Sequence, residues 1–102
     1  MPATFITGKE LFNLEPRGFG ISRDERNERR IYVKRVWCAL VKYNRKQRPW
    51  TPDTALPVKL KLSEINAALK QDRTKLWGNL EDYEINAFEA TLRDWKKRNT
   101  RK

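Results

Sequence analysis

The stretch from Ser22 to Lys46 constrains the fold more than any other part of the chain. Ser22-Arg-Asp-Glu25 has the spacing of a capping box, and acidic residues in a first turn favour a helix start. Beyond it, Val33, Val36, Trp37, Leu40 and Val41 recur at three- and four-residue intervals, flanked by Tyr32 and Tyr43. Lys34, Arg35, Lys42, Arg45 and Lys46 fall on the opposite face. The competing reading is a strand through 31–41, because β-branched and aromatic residues are frequent there. Separate apolar and basic faces arise only at the 3.6-residue period, so the spacing predicts a helix over 23–46.

Weaker signals surround this helix. Thr7-Gly-Lys-Glu10 is another capping box and predicts a short helix over 9–14, ended by Pro16, in an otherwise irregular opening. Arg17-Gly-Phe-Gly20 reads as a loop, as does 47–56 with its prolines at 49 and 52. Residues 57–62 alternate apolar and basic side chains, the pattern of a short half-buried strand. Ser63 is the expected cap of a helix over 64–70, and Asp72 of another starting at Arg73. Further on, Leu76, Leu80, Tyr83 and Ala87 share one face, and Phe88, Leu92 and Trp95 form a rotated stripe. One long helix or two with a bend at 82–84 both fit. The Phe88–Leu92–Trp95 stripe could serve a homodimer, although a domain's own core is the commoner use. The expected fold class is mainly α, a small helical domain with room for one short strand at 57–62. Its expected organisation is an N-terminal arm over 1–22, a single helical core over 23–95 and a basic tail over 96–102.

Composition removes whole classes of function. With no His and one Cys in 102 residues, most zinc sites, His-based catalysis and an intramolecular disulfide are excluded. The thiol content suits a reducing compartment, so a cytoplasmic protein is expected. The opening residues lack the basic-then-apolar pattern of a secretory leader. The longest apolar run, Val36–Val41, is far too short to cross a membrane. No Gly-rich phosphate loop and no nucleophile elbow is present. Pro52-Asp53 with Lys59 and Lys61 has part of a metal-nuclease pattern, but Lys59 stands where a second acid is needed. No enzyme, cofactor or metal is therefore expected. Glu81, Asp82 and Glu84 read as a solvated acidic face.

What remains is charge. The net charge is +10, which points to a polyanionic partner. Residues 23–50 hold ten basic residues against three acidic, and 93–102 hold six against one, while 63–92 are net acidic. Lys34, Arg35, Lys42, Arg45, Lys46 and Arg48, with Lys96, Lys97 and Arg98 in the tail, are the expected phosphate contacts. Trp50, in a Pro-flanked basic loop, is the candidate for stacking on a base. Trp37 and Trp95 read as core. Cys38 lies toward the basic face, where a neighbouring cation would lower its pKa, although a lone Cys is more often a passive small residue.

Residues 63–83 resemble a helix-turn-helix of the DNA-binding superfamily. Ile65, Ala68 and Leu69 supply the first helix, Lys70-Gln-Asp72 the turn, and Leu76 and Leu80 the inward face of the second helix. Small Ala68 permits the close crossing, while Lys70 stands in the turn where Gly is favoured. The order of basic helix, strand and paired helices is similar to a winged-helix layout with the wing replaced by a helix and a basic tail. The resemblance implies that Arg73, Thr74 and Lys75 meet base edges in the major groove, with Asn79 one turn on. The expected function is thus a small DNA-binding regulator of transcription or accessory factor, nucleoid-associated, preferring DNA to RNA. One alternative is an RNA binder using the basic helix, Trp50 and the tail. Another is an inhibitor or adaptor that binds an acidic protein surface.

Overall fold

The computed structural model describes residues 5–14, 22–71 and 80–99. Along the chain these form β1 (Phe5–Thr7), α1 (Gly8–Phe12), α2 (Arg23–Asn44), α3 (Pro52–Ala55), β2 (Lys59–Lys61), α4 (Leu62–Leu69) and α5 (Asp82–Asn99). The fold is mainly α with a two-stranded antiparallel sheet. Among the described residues, no helix is long and apolar enough to cross a membrane.

α2 is the hub. Ser22 Oγ accepts from the Glu25 amide at 3.1 Å, so the helix starts where the capping box places it. It ends at Asn44, two residues before the expected limit. Residues 31–41 are helical throughout, which removes the strand alternative. Val33, Val36, Trp37, Leu40 and Val41 are all buried. Each such side chain contributes about 1.5–3 kcal/mol by leaving water.

α5 covers α2 most extensively, with Ile85, Phe88, Leu92 and Trp95 facing inward. The Trp37 and Phe88 rings lie 6.5 Å apart, tilted by 40°. The Phe88–Leu92–Trp95 stripe therefore belongs to the domain's own core, and as a homodimer surface it is spent. Helix α5 begins at Asp82, and its inward phase is set there. Tyr83, expected on the inward face, is 58% exposed and meets Tyr32 edge-on at 5.4 Å. Glu84, expected on a solvated face, is buried instead. Its Oε1 accepts from the Glu81 amide at 3.4 Å and its Oε2 pairs with Arg35 Nη1 at 2.9 Å.

The opening residues are part of the same core. Ile6 and Leu11 are buried beside Leu60, Ile65 and Ala68, so the core reaches outside 23–95. β1, which the irregular opening did not predict, pairs with β2 in the register Phe5↔Lys61, Ile6↔Leu60, Thr7↔Lys59. Thr7 then caps α1 by accepting from the Glu10 amide at 3.4 Å. In the stretch expected to be only loop, Pro52 at the first helical position and a Thr51–Thr54 capping box make α3. α4 begins at Leu62, with Lys61 rather than Ser63 as its cap residue. The reason is Glu64, whose Oε1 reaches back to the Lys61 amide at 3.4 Å. Lys70 ends α4 at φ −81°, ψ −13°, so the turn begins with no left-handed residue.

Candidate nucleic-acid interface

The proposed base-reading residues Arg73, Thr74, Lys75 and Asn79 lie outside the described residues, as do Asp72, Leu76, the Arg17–Gly20 loop and the tail beyond 99. The expected phosphate contacts are largely described. They do not form one uninterrupted basic face, because the neighbours of α2 use several of them.

Lys34 Nζ sits 4.7 Å from the centre of the Phe12 ring and is half-buried there, joining α2 to the end of α1. Arg35 holds buried Glu84, and so joins α2 to α5. Arg45 grips Glu64 with both terminal nitrogens, at 2.8 and 3.3 Å, and joins α2 to α4. Arg98 pairs with Asp94 one turn before it at 3.2 Å. These three arginines each answer a carboxylate of their own chain. Lys42, Lys46, Arg48 and Lys97 are exposed, with no ion pair to a carboxylate among the described residues.

Among the described residues, two clefts gather basic groups. The first, of about 430 Å³, lies where α2 ends and is lined by Asn44, Arg45, Lys46, Gln47, Arg48 and Trp50. Trp50 is half-buried against the core, and its Nε1 donates to the Arg45 carbonyl at 2.8 Å. Its own carbonyl accepts from the Cys38 thiol at 3.4 Å. The loop thus folds back over the basic arc of α2 and buries Cys38. Burial pushes the Cys38 thiol up, and nearby Lys42 opposes this with the smaller effect, in keeping with a passive small residue rather than an activated thiol.

The second cleft, of about 580 Å³, lies between the end of α4 and the second half of α5. Asn66, Leu69, Lys70, Glu89, Leu92, Arg93 and Lys96 line it. Lys96 was expected as a phosphate contact, whereas Lys70 and Arg93 were not singled out for that role. Arg93 precedes Lys96 by three residues, which is one turn of helix. Only the packing of α4 near α5 brings Lys70 to them. The chain matches no protein-family model, no curated protein and no solved structure.

Proposed function

We propose that this chain is a small nucleic-acid-binding protein that anchors on the phosphates of double-stranded DNA, as a regulator or accessory factor of helix-turn-helix type. The observation that carries the reading is the second cleft, where Lys70, Arg93 and Lys96 meet at the exit from α4. In this reading α4 is the first helix of the pair, its Ile65 and Ala68 turned into the core. The resemblance would place a second helix from Arg73 onward, with Arg73 and Asn79 suited by their fork and amide chemistry to guanine and adenine edges. Lys70 and Arg93 fix the register by holding backbone phosphates, and Lys42, Lys46 and Arg48 add electrostatic attraction. Glu84 costs the interface little, since its carboxylate is buried and neutralised by Arg35.

Fluorescence anisotropy tests this with one random 30-mer, offered as duplex DNA and as single-stranded RNA at two salt concentrations. The expected result is tighter binding to the duplex with a steep loss as salt rises. Lys70→Ala with Arg93→Ala should weaken binding to every duplex, while Asn79→Ala should reduce discrimination between sequences. Weak binding to both probes, gone at physiological salt, overturns the proposal.

A further inference from the structure

We infer that the cleft at the end of α2 holds a single unpaired nucleotide, its base against Trp50 and its phosphate on Lys46 and Arg48. This deepens the nucleic-acid reading and rests on it for the class of partner, though not on the duplex.

The argument begins with the wall of the cleft. Trp50 is tied at its indole nitrogen to the Arg45 carbonyl and at its own carbonyl to the Cys38 thiol. Arg45 in turn is held by both oxygens of Glu64. Asn44 is pinned through Nδ2 to the Leu40 carbonyl at 2.9 Å. An aromatic wall fixed in this way loses little freedom when something packs on it, which favours binding. The opposite character is found at Lys46 and Arg48. Both are exposed, and neither has an ion-pair partner among the described residues.

The chemistry of the lining then selects the ligand. The cleft is lined by three cations, two amides and one aromatic, and by no carboxylate. Cations without a competing acid suit a phosphate. Asn44 Oδ1 has no described partner and can accept from a base amino group, and the Gln47 amide can donate or accept. About 430 Å³ is in the range of small-ligand sites. A base inside a duplex has both faces covered by its neighbours, so only an unpaired base can offer a face to an indole.

The probe is a blunt DNA duplex compared with the same duplex carrying a short single-stranded 3′ extension, of DNA in one arm and RNA in the other. Stacking of one unpaired base on the Trp50 ring should make the extension tighten binding roughly tenfold. Trp50→Leu should abolish that gain, Trp50→Phe should keep most of it, and Arg48→Ala, at an exposed position, should reduce it severalfold. A gain with only one extension identifies the sugar preferred. No gain from either extension, or a gain that survives Trp50→Leu, overturns the inference. Binding of the free single strand without any duplex affinity upholds this site while removing the duplex reading. Absence of binding to every probe removes both.

Discussion

Gly8 shows how closely the core is built around α2. A Cβ at this position would meet the Trp37 ring atoms Cδ1, Cγ and Nε1 at 2.6–2.7 Å. The ring has little freedom to yield, because Trp37 is fully buried and its Nε1 donates to the Ala55 carbonyl at 2.7 Å. Gly8→Ala should therefore destabilise the fold by about 1–3 kcal/mol, the usual range for overpacking. Urea unfolding should show a lower midpoint with an unchanged slope. The sequence reveals Trp37 as core through its spacing from Val33, Val36 and Leu40. It does not reveal that Gly8 must stay small, since that follows from where α1 crosses α2. Cys38 gives the same lesson. Its sequence position is toward the basic face of α2, and its burial involves the Trp50 loop, whose carbonyl accepts from the thiol.

At the scale of elements, the contact between α2 and α4 is made polar by Arg45 and Glu64. Arg45's hydrogen bonds hold the Glu64 carboxyl below the ordinary carboxylate range, helped by the Lys61 amide and opposed by partial burial. A carboxyl lowered on folding adds stability above its unfolded pKa, and that contribution fades as pH falls through the folded value. Glu64→Gln should accordingly be less stable than the native chain at neutral pH. The gap should narrow in acid, below the ordinary carboxylate range, when denaturant midpoints are compared across pH. The long helix α2 was legible because many residues repeat one period. β1 was not, since three residues carry no usable alternation and Ile6 gains its burial through β2. α3 was masked by its prolines, although Thr51 and Thr54 are the cap that permits it. The helix expected over 64–70 is found as α4, whereas residues 72–79 of the paired-helix pattern fall outside the described residues.

Over the whole molecule, a net charge of +10 coexists with internal ion pairs that consume part of the basic set. The charge total alone therefore overstates how many phosphates the protein can neutralise. The slope of log affinity against log salt counts them directly, at about 0.9 per phosphate on duplex DNA. Lys46→Ala should reduce that slope by about one contact. Arg35→Ala should chiefly lower stability, because it leaves Glu84 buried without its partner. Measuring slope and urea midpoint for both variants separates the two roles.

One contact spans nearly the full chain: Trp95 Nε1 donates to Glu10 Oε2 at 3.1 Å, across 85 positions. It joins α5 to α1, and both rest on α2. During synthesis, α1 and α2 emerge from the ribosome well before the helix that completes their shelter. The nascent chain must carry Val33, Val36 and Trp37 partly uncovered until α5 is made. Burial of these side chains is then completed only once α5 has been made.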